Sequence, residues 1–127
     1  MILRYIILYV PDVAASMDFY ARAFGLTEGF RHEGGDYGEM ITGTTKLAFS
    51  ALALMAQLGK DVATTPPEHP SFELAFETDD VAAALARAID AGAIPVQGVT
   101  DMPWGQTIAY VRCPEGTLVE LCTPTAP

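Results

Sequence analysis

Two stretches of this chain, Asp12-Val13-Ala14-Ala15-Ser16 and Asp80-Val81-Ala82-Ala83-Ala84, carry nearly the same letters at an offset of 68 residues. A period that long, occurring twice, means two copies of one supersecondary unit and excludes a solenoid of short repeats. In each copy an apolar run precedes the Asp. The Asp side chain can then cap the free amides of a helix's first turn.

The flanking pattern repeats as well. Residues 3–10 read as a strand that Pro11-Asp12 ends, and Val13, Met17, Tyr20 and Phe24 form one face of an amphipathic helix closed by Gly25. Strands follow around 28–32, 37–42 and 46–50, separated by Gly34-Gly35 and by Gly43. Ala51 to Leu58 is a short helix or irregular cover, and the proline-bearing stretch 59–70 is a linker. The second copy has a strand over 71–78 and a helix with Val81, Leu85, Ala88 and Ile89 on one face, ending at Gly92. Strands around 94–99, 107–112 and 117–123 complete it. The expected fold class is therefore α+β, one domain over 1–127, with module one at about 1–58, the linker at about 59–70 and module two at about 71–127.

Bulk properties exclude several classes. Half the residues are hydrophobic and 18% charged, the composition of a compact fold. Sixteen acidic against seven basic side chains give a net charge of −9, which repels phosphate backbones and anionic lipid; neither nucleic acid nor membrane is an expected partner. The acidity suits solubility, and it also suits a site for cationic or polar organic ligands. No run approaches the roughly 20 apolar residues of a membrane span. The apolar start lacks a basic leader and runs straight into a capped helix, so it reads as the first strand of a cytoplasmic protein. Cys113 and Cys122 lie at opposite ends of one hairpin arm, roughly 16 Å apart at about 3.3 Å per residue. A disulfide needs Cα atoms within about 7 Å, so two reduced thiols are expected.

Alternation of side chains within strands separates a helix-packed face from an open one. Ile6, Leu8 and Val10 pack under the helix in the first strand, leaving Tyr5, Ile7 and Tyr9 opposite; Phe72, Leu74 and Phe76 do so in the fifth, leaving Glu73 opposite. In the last strand Val119 and Leu121 take the helix side, and Leu118, Glu120 and Cys122 the other. Thr45-Lys46-Leu47-Ala48-Phe49-Ser50 aligns with Thr117-Leu118-Val119-Glu120-Leu121-Cys122, which makes Ala48 the counterpart of Glu120. Tyr5, Ala48, Glu73 and Glu120 thus face away from the helices. An ionisable group in an apolar strand costs free energy unless it is paired or open to a cavity, so Glu120 with Glu73 is the sharpest constellation. Two such carboxylates can bind a cation, share a proton or hold a metal; they can equally be hydrogen-bonded structural groups. Tyr110 and Arg112 share one face of the seventh strand and Ala109 and Val111 the other, and parity leaves open which is which. If Tyr110 faces the open side it lies across from Glu120 and can donate to it, whereas Arg112 reads as a solvated strand-end charge. Trp104, in Pro103-Trp104-Gly105, is either a ligand-stacking wall or a packed turn. Tyr5 and Tyr9 are packing aromatics or ligand contacts. No nucleophile-elbow motif and no phosphate-binding Gly-rich loop is present, and no catalytic residue is assigned.

The duplication, the run from Tyr9 to Tyr20 (Tyr-Val-Pro-Asp-Val-x-x-Ser-x-x-Phe-Tyr), Phe24-Gly25-Leu26, and Trp104-Gly105-Gln106 through Cys-Pro-Glu-Gly to Val119-Glu120-Leu121 resemble the vicinal oxygen chelate superfamily of glyoxalases, bleomycin-resistance proteins and extradiol dioxygenases. The resemblance covers essentially the whole chain. It implies a glyoxalase/bleomycin resistance-like fold whose sheets curve around a ligand cleft, and a homodimer. In metal-dependent members the four positions above carry His, Glu or Gln ligands, but here they read Tyr5, Ala48, Glu73 and Glu120. Ala48 has no donor and none of the four is His. His32 and His69 read as surface or structural residues, and Cys113 stands where the family commonly has Asp. The leading expectation is metal-independent binding of a polar or cationic small organic molecule, without a cofactor, through Tyr5, Tyr9, Glu73, Trp104, Tyr110 and Glu120. The alternative is a metal-dependent lyase or dioxygenase that holds a divalent ion through Glu73 and Glu120. A third is an interaction domain with no ligand site. Fold is weak evidence for function, so whether the chain is an enzyme stays open at this point.

Overall fold

The structure is a computed structural model that describes residues 1–125. The chain divides into two compact units, Met1–Thr65 and the residues from Pro66 onward. The first unit contains β1 (Tyr5–Val10), α1 (Val13–Phe24), β2 (Thr27–Arg31), β3 (Tyr37–Ile41), β4 (Lys46–Ala51) and α2 (Leu52–Gln57). The second contains β5 (Glu73–Glu77), α3 (Val81–Asp90), β6 (Ile94–Asp101), β7 (Thr107–Arg112) and β8 (Leu118–Cys122).

Each unit forms one mixed four-stranded sheet, in the order β1-β4-β3-β2 and β5-β8-β7-β6. The first strand of each copy pairs in parallel with the last, and the other neighbours are antiparallel. Tyr5 pairs with Lys46 in the first sheet and Glu73 with Leu118 in the second. These are the same pairing at the offsets seen in the sequence, so the duplication extends to strand register.

Local chemistry explains the helices. The Asp12 carboxylate accepts from the amide of Ala15 at 3.0 Å, and that of Asp80 accepts from Ala83 at 3.0 Å. Each cap satisfies one of the amides that a helix start leaves without an internal partner. Gly25 closes α1 at φ 71°, a left-handed conformation that glycine adopts without steric cost.

The first core lies between α1 and its sheet. Tyr20 meets Phe49 edge-on with ring centroids 5.0 Å apart, which fixes Phe49, and with it Leu47, on the helix side of β4. A Cβ on Gly38 would run into the sulfur of Met17 on α1, which would have to shift to admit it. Gly38 therefore faces the helix, and its neighbours Tyr37 and Glu39 face away. By the same register Leu121 and Val119 of β8, with Ala109 and Val111 of β7, lie under α3, and all four are buried. The second core is aliphatic, completed by Leu74, Val81 and Ala88.

Several expectations are corrected. β1 begins at Tyr5 rather than residue 3, and Met1 to Leu3 are exposed. Phe72 precedes β5 and is exposed instead of packing with Leu74. Ile89 is exposed too, because α3 buries a stripe through Val81 and Ala88 that does not reach it. Both cysteines are buried and neither forms a disulfide. Among the described residues no helix is long and apolar enough to cross a membrane.

Candidate functional site

The register of the second sheet brings Glu73, Tyr110 and Glu120 together. Tyr110 on β7 sits directly across from Glu120 on β8, so their side chains share the face turned away from α3. That settles the orientation left open by parity: Ala109 and Val111 are the buried pair, and Tyr110 and Arg112 lie on the open side. Ala75, the β5 partner of Glu120, belongs to this face, as does Glu73 two residues before it.

The hydroxyl of Tyr110 donates to Glu120 Oε2 at 2.6 Å and lies 3.1 Å from Glu73 Oε2. A phenol carries a single proton, so it serves Glu120 at short range and Glu73 only in part. The hydrogen bond to Glu120, then burial, then the bond to Glu73 push the Tyr110 pKa well above its ordinary value of 10.0. Tyr110 is thus a fixed neutral donor at physiological pH and cannot serve as an anionic base. Among the described residues neither Glu73 nor Glu120 forms an ion pair with a basic side chain. Cys122, next along this face of β8, has its thiol pKa raised by burial and then by the negative charge of Glu120, Glu77 and Glu73. It contacts the carbonyl of Phe76 at 3.7 Å and is no activated nucleophile.

The first unit carries a related group that the sequence reading missed. Glu39 on β3 pairs with Ala48 on β4, on the face turned away from α1. Its carboxylate accepts from the Tyr37 hydroxyl at 2.8 Å and lies 3.1 Å from the Lys46 ammonium, which also stands 6.0 Å from the Tyr5 ring centre. Burial alone would raise the Glu39 pKa, but the hydrogen bonds from Tyr37 and Lys46, with the Lys46 charge, bring it below its ordinary value. Burial, and then the bond to Glu39, raise that of Tyr37. A signal for this group was present in the alternation of β3, where a Glu stands between Gly38 and Met40 opposite the position matched to Glu120.

The remaining candidates are placed as follows. Tyr5 and Tyr9, 44% and 43% exposed, flank Ile7 on the open face of the first sheet. Trp104 sits in the β6–β7 turn, 64% exposed, with its single indole donor on Gln106 at 2.8 Å, and Gln106 in turn donates to the carbonyl of Thr123. The indole is thus anchored in a turn with its ring open. His32 lies in the β2–β3 turn beside Asp36, and His69 is exposed near Glu68. Arg112 is not a solvated charge. It donates to the carbonyl of Gly116 at 2.9 Å, to that of Glu68 at 3.2 Å and to that of Pro67.

The metal centre implied by the resemblance can be tested against these donors. Ala48 offers none, Tyr5 is a phenol with Lys46 near its ring, and Glu73 and Glu120 are joined through the Tyr110 hydroxyl. Among the described residues no three His, Cys, Asp or Glu side chains gather closely enough to hold an ion. Two carboxylates without imidazole are a poor transition-metal set, so the residues do not fit the implied centre.

Comparison with known proteins agrees with the fold. A family model for the Glyoxalase/Bleomycin resistance protein/Dioxygenase superfamily matches residues 2–121. The chain is 30% identical over 114 residues to an uncharacterized protein of Mycobacterium bovis, which covers 86% of this chain and 74% of that protein. An uncharacterized protein of Mycobacterium tuberculosis matches at the same identity, and this chain spans 66% of its length. A glyoxalase-related enzyme from Fulvimarina pelagi superposes with a TM-score of 0.83 at 25% identity, covering 98% of this chain and 88% of that one. A glyoxalase/bleomycin resistance protein/dioxygenase family enzyme from Burkholderia phytofirmans gives 0.81 at 20% identity, covering 97% and 98%. With the family model matched over residues 2–121 and the fold shared with these structures, the chain belongs to the glyoxalase/bleomycin resistance protein/dioxygenase superfamily.

Proposed function

We propose that the chain binds a small organic cation, without a resident metal, on the open face of its second sheet. The observation that carries this reading is the Glu73–Tyr110–Glu120 group, in which two carboxylates meet over one hydroxyl proton and have no basic partner among the described residues. Adjacent carboxylates repel, and a ligand bearing N–H donors and a positive charge relieves that repulsion while filling their remaining acceptor sites. Tyr110 holds Glu120 in place for this role. The net charge of −9 adds a long-range attraction for cations.

The test is a thermal-shift and calorimetric screen of cationic antibiotics and aromatic amines, with benzamidinium as a simple probe and benzoate as its anionic control. A ligand at a hundredfold excess over Kd adds about 2.7 kcal/mol to stability. Glu120→Gln should weaken cation binding by about tenfold or more, the loss expected for one charge-assisted hydrogen bond. Protein purified without chelator should carry no stoichiometric divalent metal. Binding that survives Glu73→Gln with Glu120→Gln, or a stoichiometric metal that Glu120→Gln releases, overturns this reading.

A further inference from the structure

The basic residues from Pro66 onward, apart from His69, are Arg87 in α3 and Arg112 in β7. Arg112 is therefore the fixed cation of the sheet that carries Glu73 and Glu120. Its position relative to them is set by register: Arg112 pairs with Leu118, and Leu118 pairs with Glu73, so the three stand in one row across β7, β8 and β5. All three belong to the face that carries Tyr110 and Glu120. Two strand spacings separate Arg112 from Glu73, roughly 10 Å between backbones. An Arg stem lying along Leu118 and a Glu side chain reaching back can span that distance.

The guanidinium is turned elsewhere. All three of its hydrogen bonds go to carbonyls, Gly116 in its own hairpin turn and Pro67 and Glu68 in the segment leading to β5. The segment is also fitted to the turn by shape, because a Cβ on Gly116, at φ 103°, would collide with the Pro66 ring. The Pro66–Pro70 segment is thus a strap held on the β7–β8 turn by one side chain and one glycine. The other ionisable groups on the face are Glu77 on β5, Glu120 and Cys122 on β8 and Tyr110 on β7, acidic or neutral throughout. A guanidinium released from the strap would be drawn to them, since a bidentate Arg–carboxylate pair is stronger than bonds to neutral carbonyls.

We propose that the strap is a charge gate: docked, it holds Arg112 on the carbonyls of Pro67, Glu68 and Gly116 and leaves Glu73 and Glu120 open to a cation; released, it frees Arg112 to pair with Glu73 and closes the face to cations. The gate's purpose rests on the cation-binding reading above, but its geometry does not. By linkage, a bound cation favours the docked strap to the same degree that the docked strap favours the cation. Arg112 is a specificity-determining residue in this scheme.

The experiment evicts the strap and follows Arg112. Gly116→Ala drives a Cβ into Pro66, and Pro66→Gly with Pro67→Gly loosens the strap without touching the turn, which covers the case that the first variant fails to fold. Each is made with and without Arg112→Met. The expected result is that side-chain proton contacts between Arg112 Hδ and Glu73 Hγ, absent from the wild-type NOE spectrum, appear on strap eviction. Affinity for benzamidinium should fall about tenfold, as neutralising one of two adjacent charges would do, and Arg112→Met should restore it. Evicted straps with no Arg112–Glu73 contact, or a loss of affinity that Arg112→Met does not repair, would overturn the gate. If the contact appears and no form of the protein binds benzamidinium, the gate stands and the cation reading fails.

Discussion

The two sheets share one register and present opposite solutions to the same problem. At the place where the first has Glu39, the second has Tyr110; where the first has Ala48, the second has Glu120; Tyr5 and Lys46 are answered by Glu73 and Leu118. The first face thus pairs its carboxylate with an ammonium and a phenol, whereas the second sets two carboxylates around a phenol and supplies no ammonium. Whole-unit charge follows suit. Seven acidic and five basic residues up to Thr65 leave −2, and nine acidic against two basic residues beyond it leave −7. A self-neutralised group is what folding alone favours, so the copy that forgoes neutralisation is the one to suspect of binding something. The cores differ as well: Phe19, Tyr20, Phe24 and Phe49 interlock in the first, and the second buries aliphatic residues with Cys113 and Cys122.

That difference in cores predicts the largest stability effects. Phe49 is fully buried against Tyr20, and Phe49→Ala should cost about 3–5 kcal/mol. Val119, equally buried, loses two methyl groups in Val119→Ala and should cost about 2 kcal/mol. Urea unfolding of both variants checks the pair. Equal losses would mean that the first core relaxes around its cavity and that the aromatic cluster is no stiffer than the aliphatic one.

The helix caps test the reverse, a feature in which the copies are alike. Asp12 and Asp80 each accept from the amide three residues on at the same 3.0 Å. Asp12→Ala and Asp80→Ala should therefore each cost about 1 kcal/mol, measured in the same urea series. A clear inequality would show that one helix start is held by tertiary contacts instead of its cap.

Much of this architecture was legible in the sequence because the signals were local. The alternation in Tyr5–Val10 and Leu118–Cys122, the capping Asp residues and Gly25 located strands, helices and even the Tyr5, Ala48, Glu73 and Glu120 quartet. What escaped was whatever depends on the neighbouring strand. The copies match by letters at the helix start, but the matched last strands share only their opening Thr, and Tyr37-Gly38-Glu39 and Ile108-Ala109-Tyr110 have no letters in common, so only the alternation of β3 pointed to Glu39 as the counterpart of Tyr110. The face of β7 needed the burial of Ala109 and Val111, which parity could not supply. Arg112 read as solvent-facing because its acceptors are backbone carbonyls, and those leave no trace in residue identity.

The smallest expected effect concerns the pH dependence of the neutralised face. Bonds from Tyr37 and Lys46 outweigh the burial that would raise the Glu39 pKa, and hold it below the ordinary 4.5. A carboxyl whose folded value lies below its unfolded one contributes stability that is fully present above the unfolded value and is lost as pH falls through the folded one. The wild-type protein should therefore exceed Glu39→Gln in stability at neutral pH by an amount that shrinks below about pH 4.5 and vanishes in stronger acid. Urea midpoints of the two proteins between pH 7 and pH 3 measure the difference. A gap that stays constant across that range would show that the Tyr37–Glu39–Lys46 group does not favour the ionised carboxylate, and the contrast between a neutralised and an un-neutralised face would lose its first member.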